Sequence, residues 1–453
     1  MSLPFYAEYR DQGVDWLGAL PAHWKLVPLK HLVTSIEQGW SPQCENFPAE
    51  APGEWGVMKV GCVNGGSFKP SENKKLPAEL EPMTQYSLKR GDLLISRANT
   101  KELVGSAAVV PDDFENLLLC DKLYRLRPNE SLCLANYLAY YLGTEAARSQ
   151  LELEATGASS SMLNIGQSTV MTLLTPLPNR FEQQSITKFL DRETGKIDSL
   201  IAEQEKLITL MAEKRQATIS HAVTRGLDPL APTRESGVAW LGRVPAHWTS
   251  PPLYMRYSSE LGKMLDTSRI TGQNLMRYLR NVDVQWDRIS YSELPVMDIA
   301  PDEYERYTVV PGDLLVCEGG EVGRAAVVTE AAEITGFQKA LHRLRARSNQ
   351  ELPRFMFYTF AWASSAGAFA GEGQSTISHL TGEQLRKYRF PKPPLKEQAD
   401  IVRFLDSELK KLSDLRDAAE QAVALLKERR AALIAAAVTG QIDVRGTIQD
   451  TGA

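Results

Sequence analysis

Apolar positions along this chain follow two alternating patterns. Short apolar runs such as Val57 to Val60, Leu93 to Ser96 and Ala107 to Val110, punctuated by Gly, Pro and Asn, predict short strands. Helical stretches follow at Leu134 to Leu142 and Arg354 to Trp362. Then come two proline-free stretches of 43 and 44 residues, Phe181 to Val223 and Leu395 to Val438. In the first, Ile186, Leu190, Ile197, Leu200, Leu207 and Met211 recur at heptad-like spacing; in the second, Ile401, Leu405, Leu412, Leu415, Ala422 and Leu426 do the same. Pro178 and Pro394 stand just ahead of each stretch, where a helix start tolerates proline. Each stretch predicts one long helix, and forty residues at 1.5 Å each span roughly 60 Å, far more than a globular helix needs. Such a helix must bury its stripe against something. Gly195 inside the first one costs about 1 kcal/mol relative to alanine.

The chain repeats itself, which supplies the partner. Gly13 to Trp24 (GVDWLGALPAHW) and Gly237 to Trp248 (GVAWLGRVPAHW) agree at nine of twelve positions. Glu182 to Asp191 (EQQSITKFLD) matches Glu397 to Asp406 (EQADIVRFLD), Gly91 to Ile95 (GDLLI) matches Gly312 to Val316 (GDLLV), and Leu123 to Arg127 (LYRLR) matches Leu341 to Arg345 (LHRLR). The matches keep their order, so one duplicated unit accounts for nearly the whole chain. The expected fold is α/β (α+β) globular domains in two copies, separated by a long antiparallel two-helix coiled coil, with an internal pseudo-two-fold repeat. That arrangement puts one reader at each end of a fixed strut.

Composition narrows the function. The 453 residues carry 51 Lys+Arg against 56 Asp+Glu, a net charge of −5, so any nucleic-acid contact must use local patches. The long helices are neutral, with 6 Lys/Arg against 7 Asp/Glu and 8 against 8. Lys339 to Lys392 holds 9 Lys/Arg against 3 Asp/Glu, and Lys59 to Lys101 holds 8 against 4. Such stretches suit phosphate binding; a solvated domain face is the bland alternative. Each copy also has a small-polar loop ahead of its long helix. The first is Gly157-Ala158-Ser159-Ser160-Ser161-Met162-Leu163-Asn164, the second Gly373-Gln374-Ser375-Thr376-Ile377-Ser378-His379. Amides and hydroxyls in such loops hold phosphates, and Asn, Gln and His tips reach base edges. A plain surface loop of turn formers reads the same way. Arg97, Asn99 and Thr100 follow the GDLLI strand as Glu318 and Glu321 follow GDLLV, differing as two readers of different bases should. Arg277, Tyr278 and Arg280 combine charge and an aromatic ring in another expected loop. The DNA-contact candidates are therefore Arg97, Asn99, Ser159, Ser160, Asn164, Arg277, Tyr278, Arg280, Lys339, Gln374, Ser375, Thr376 and His379.

Catalytic signatures are missing. There is no phosphate loop; Gly371-Glu372-Gly373-Gln374-Ser375-Thr376 lacks its lysine. Gly319-Gly320-Glu321-Val322-Gly323 is a weak echo of a dinucleotide turn. Lys392-Pro393-Pro394-Leu395 is not the Asn-Pro-Pro-aromatic tetrad of amino-methyltransferases, and no Gly-x-Ser-x-Gly elbow occurs. His23 and His247, each beside a tryptophan, read as packed structural residues, and no His pair has metal-ligand spacing on one helical face. Five scattered cysteines (Cys44, Cys62, Cys120, Cys133, Cys317) form no disulfide framework, no apolar run reaches membrane length, and Met1 to Arg10 lacks a signal pattern. A cytoplasmic, non-catalytic protein is expected.

The PAHW segments, the EQxxIxxFLD helix starts and the AVT endings (Ala222-Val223-Thr224, Ala437-Val438-Thr439) resemble the specificity subunit of Type I restriction-modification enzymes, from Tyr9 to Val444. The resemblance implies target-recognition domain 1 over 1–178, a central conserved helix over 179–226, target-recognition domain 2 over 227–392, a C-terminal conserved helix over 393–445 and a tail over 446–453. It implies that double-stranded DNA is read as two half-sites around a non-specific spacer. The implied partners are two adenine-N6 methyltransferase subunits and the restriction subunits, which would own S-adenosylmethionine, ATP and magnesium. The competing expectation is a coiled-coil scaffold whose end domains bind proteins only.

Overall fold

The computed structural model describes residues 3–14, 16–154, 156–159, 162–265, 271–330, 333–369 and 379–447. Two compact units divide the chain: Met1–Gln204 with Gln421–Ala453, and Glu205–Glu420. The long helices, Arg180–Arg225 and Leu395–Val438, each contribute to both.

In unit 1 one four-stranded sheet runs Ala107–Val109, Leu93–Ser96, Leu123–Pro128, Val33–Gln38, all antiparallel. A second runs Asn73–Lys75, Gly56–Met58, Phe114–Leu118, Ser87–Leu88, with its middle pair parallel. Unit 2 repeats both orders. Its first sheet is Ala325–Val327, Leu314–Cys317, Leu341–Ala346, Tyr257–Leu261, and its second is Val296–Asp298, Leu275–Leu279, Thr335–Phe337, Thr308–Val309, again with a parallel middle pair. The GDLL strands are buried at every position because each divides two cores. Leu93 and Ile95 face the core that the helices close, while Leu94 faces the second sheet. Leu314 and Val316, against Leu315 and Cys317, split in the same way.

The repeated strings turn out to be each other's binding partners. The second arginine of LxRLR pairs with the aspartate of GDLL: Arg127 Nε lies 3.4 Å from Asp92 Oδ1, and Arg345 Nε 2.7 Å from Asp313 Oδ1. The first arginine satisfies backbone carbonyls, Arg125 at Ser87 (2.8 Å) and Gln85 (3.0 Å), Arg343 at Glu305 (2.9 Å) and Thr308 (2.6 Å). His23 Nε2 sits 2.8 Å from Glu182 Oε1, and His247 Nε2 2.8 Å from Glu397 Oε2, so each PAHW segment is lashed to its own helix start. The neighbouring glutamines are buried and do identical work. Gln183 accepts from Leu134 N–H (2.9 Å) and donates to the Leu132 and Pro178 carbonyls; Gln398 accepts from Leu352 N–H (2.9 Å) and donates to those of Gln350 and Pro393. Asp191 and Asp406 close the motif on Tyr140 and Tyr358. Each helix ends at a left-handed glycine, Gly226 (φ +76°) or Gly440 (φ +70°), pressed against the Trp248 or Trp24 ring. Gly39 and Gly262 also correspond. A Cβ there would stand 2.1 Å from the Leu119 carbonyl oxygen and 2.2 Å from that of Gln338.

Inside unit 1 the start of the first long helix (Ile186, Phe189, Leu190) shares a core with the end of the second (Ile434, Ala437, Val438), and Ile197 and Ile201 meet Val423. Inside unit 2 the end of the first (Ile219, Ala222, Val223) meets the start of the second (Ile401, Leu405, Leu409), with Leu412 packed alongside. The pairing is antiparallel, as expected, and the fold class holds. The heptad reading was wrong in part. Met211 is buried and Leu426 partly so, but Leu200, Leu207 and Leu415 are 46%, 41% and 55% exposed. From Ile197 the buried seam steps four residues to Ile201, which rotates Leu200 off it by about 100°; Leu207 falls one residue short of Ile208 in the same way. Gly195 is exposed, and a Cβ there meets nothing within 4 Å. Gly195→Ala should therefore raise the unfolding free energy by about 1 kcal/mol, read as a shifted urea midpoint. Among the described residues no helix is long and apolar enough to cross a membrane.

Candidate nucleic-acid interface

In unit 1 the strand Leu93–Ser96 delivers Arg97 and then Asn99 to its end. The polar segment ahead of the long helix comes to meet them as a hairpin rather than the expected loop. Strands Thr156–Ser159, Met162–Asn164 and Ala98–Asn99 form a small sheet with Leu163 opposite Asn99 and Asn164 opposite Ala98. Arg97, Asn99 and Asn164 are thus brought together, with the backbone of Ser159 on the outer strand; Ser160 lies outside the described residues. Asn99 Nδ2 donates to Asn64 Oδ1 (3.2 Å), adding a residue that the sequence had not singled out. Asn64 closes the turn Val60–Val63 and precedes Gly65 and Gly66, both left-handed (φ +87° and +81°). The Asn-Gly-Gly run was the available signal. Arg97 is held from beneath: Nη1 donates to the Asp121 carbonyl (3.3 Å), and its guanidinium lies 6.0 Å from the Tyr124 ring centroid.

Unit 2 builds the same corner from different residues. Leu314–Cys317 ends at Glu318, whose carbonyl accepts Leu380 N–H (2.8 Å), as the Arg97 carbonyl accepts Ile165 N–H (3.0 Å). His379 therefore stands at the strand end; a Cβ on Gly319 would lie 3.1 Å from its Nδ1. Asn281 takes the place of Asn64, donating to the Gly319 carbonyl (3.2 Å) and accepting from Arg324 Nη2 (2.7 Å). Gln374, Ser375 and Thr376 lie outside the described residues. Lys339 is exposed on a turn whose N–H donates to the Lys263 carbonyl (2.9 Å).

Two expectations fail here. Arg277 and Tyr278 lie on the strand Leu275–Leu279, not in a loop, and Tyr278 is 4% exposed with its ring among Met276, Met297 and Ile299. A ring so placed cannot reach DNA. Arg277 stays exposed, 3.8 Å from Glu333. Arg280 is engaged by Asp283 through Nε (2.9 Å) and Nη2 (2.8 Å). The local charge surplus is also smaller than its count. Within Lys339 to Lys392, Arg343, Arg345, Arg347, Arg354, Lys387 and Lys392 all bind carboxylates or carbonyls of the fold.

Burial pushes the Cys120 and Cys133 thiols up to about 12 and raises those of Cys62 and Cys317, which removes them as nucleophiles. Among the described residues no three His, Cys, Asp or Glu side chains gather to hold a metal.

Fold and corner together define a duplicated binding protein with one variable polar corner per unit. Residues 262–423 match the Type I restriction modification DNA specificity domain. The chain is 30% identical over 159 residues to the Type I restriction enzyme EcoEI specificity subunit of Escherichia coli, a match that spans 35% of this chain and 27% of that relative's length. It is 25% identical over 406 residues to the StySPI specificity subunit of Salmonella potsdam, covering 86% and 82% of the two chains. A solved chain from work on complex assembly and conformational transition of the type I R-M system superposes with TM-score 0.70 at 17% identity, over 95% of this chain and 99% of that one. Over most of its length the chain is therefore similar to specificity subunits of Type I restriction enzymes.

Proposed function

We propose that this chain is the non-catalytic subunit that reads the DNA sequence in a Type I restriction-modification complex. Each unit acts as a target-recognition domain, reading one half of a bipartite site through its polar corner. The paired long helices set the non-specific spacer. Two adenine-N6 methyltransferase subunits and the restriction subunits are the partners in this reading, and S-adenosylmethionine, ATP and magnesium belong to them. This chain would present a flipped adenine without transforming it.

The observation that carries the proposal is the pair of corners. Matching scaffolding strings underlie Arg97, Asn99, Asn64 and Asn164 in one unit and His379, Asn281 and the Glu318 strand end in the other. A common frame with different tips is what two readers of different bases require. The test is methylome sequencing of cells carrying the chain with Ala231 to Lys392 exchanged for the matching segment of a relative. One half of the methylated site should change and the other stay. Unaltered methylation, with complex formation insensitive to salt and no retention on duplex DNA, would establish the protein-binding scaffold instead.

A further inference from the structure

The string Leu-x-Arg-Leu-Arg differs between the units only at its second position, Tyr124 in one and His342 in the other. The shared positions do the same work in both units, as described above. The differing residues, both buried, also converge on one task. The Tyr124 hydroxyl donates to the Ile165 carbonyl oxygen (3.1 Å), and His342 Nε2 lies 2.9 Å from the Leu380 carbonyl oxygen. A carbonyl only accepts, so Nε2 carries the hydrogen. Burial lowers the His342 pKa and favours the neutral ring, whose Nδ1 is buried without a hydrogen-bond partner. Ile165 and Leu380 are the equivalent residues whose N–H groups already bind the Arg97 and Glu318 carbonyls. The exit of each polar segment is therefore gripped twice: N–H by the end of the GDLL strand, C=O by the start of the neighbouring LxRLR strand.

Resting on the DNA-reading function proposed above, we propose that Tyr124 and His342 are positioning residues for sequence readout. Each fixes the strand-end residue of its own unit, Ile165 or Leu380, and so sets discrimination at one half-site without touching DNA. Two chemically unlike side chains delivering one donor to one backbone atom, at the sole variable position of a repeated string, mark the donor itself as the requirement. Residues at such a strand end must be held to a fraction of an ångström for base edges to be told apart.

The test uses the full chain assembled with its methyltransferase subunits, acting on duplexes that carry the cognate site and each single-base change in either half. Tyr124→Phe removes only the hydroxyl, and should cut discrimination about tenfold in one half-site while the other half is unchanged. His342→Leu should do this in the opposite half, and His342→Gln, which returns an N–H donor near Nε2, should recover most of it. Equal losses in both halves, or unchanged discrimination with a lowered melting temperature, would overturn the proposal and leave the pair as structural braces. Wild-type complex that fails to discriminate in either half overturns the DNA-reading function itself, a result that needs no variant.

Discussion

Glu351→Gln should lower the unfolding free energy of this protein by about 3–5 kcal/mol, more than any surface substitution. The Glu351 and Arg256 side chains are each 1% exposed and joined by two hydrogen bonds, Arg256 Nε to Oε1 at 3.0 Å and Nη2 to Oε2 at 2.7 Å, with Lys392 Nζ 3.0 Å from Oε1. Arg256 Nη1 donates to the Phe390 and Pro391 carbonyls (both 3.2 Å). Neutralising the carboxylate leaves a guanidinium out of water with no counter-charge, so the cost is that of an uncompensated buried ion rather than of one hydrogen bond. Unit 1 supplies a control. By the backbone pairings shared with unit 2, Arg256, Glu351 and Lys392 correspond to Leu32, Cys133 and Leu177, all packed in or against the apolar core of unit 1. The triple change Arg256→Leu, Glu351→Cys, Lys392→Leu should therefore recover most of the loss. Urea unfolding of the full chain checks both. A drop under 1 kcal/mol for Glu351→Gln would show that water reaches the pair.

A comparable loss, about 3 kcal/mol or more, is expected for Gly262→Ala. The added carbon would stand 2.2 Å from the Gln338 carbonyl oxygen and 2.3 Å from its carbon. Both are backbone atoms of a chain that pairs with Lys263 through a parallel bridge, so no side-chain rotation relieves the clash. Gly39→Ala against Leu119 should behave alike. Neither glycine has a positive φ, so the penalty is purely one of space. Melting curves set beside Gly195→Ala give changes of opposite sign from the same substitution.

The duplicated strings of the sequence located most of the fold because each encodes a contact geometry. What stayed hidden is that the strings grip one another: nothing in GDLL or LxRLR alone says that Asp313 and Arg345 will meet, since sequence spacing carries no pairing information. The misassigned Leu200, Leu207 and Leu415 share a different cause. Adjacent apolar residues such as Leu200 and Ile201 offer two seams, and only the facing helix chooses between them. Counting charge failed around Arg343 and Arg345 because an arginine that satisfies carbonyls or a buried aspartate adds to the formula but little to the outer field. At the corners, Arg97, Asn99 and Asn164 were legible as polar residues next to predicted strand ends. Asn64 was marked only by the turn signal of the Asn-Gly-Gly run, and Asn281 by nothing, its partners being remote in the chain. Tyr278 was misread because a strand position facing a core looks, in isolation, like a loop residue between two arginines.

The division of the long helices between units has a consequence for how the protein is made. The Tyr137 hydroxyl bonds the Val438 carbonyl across 301 residues, and Trp24 shares its core with Ala437 and Val438. At roughly 5–20 residues per second, a ribosome needs on the order of 15–60 s to supply the closing segment. Unit 2, contiguous from Glu205 to Glu420, can be complete before unit 1, whose earliest residues wait with an open apolar face for the last helix to emerge. The nascent chain therefore matures from its middle outward, and its beginning is the part most in need of a chaperone.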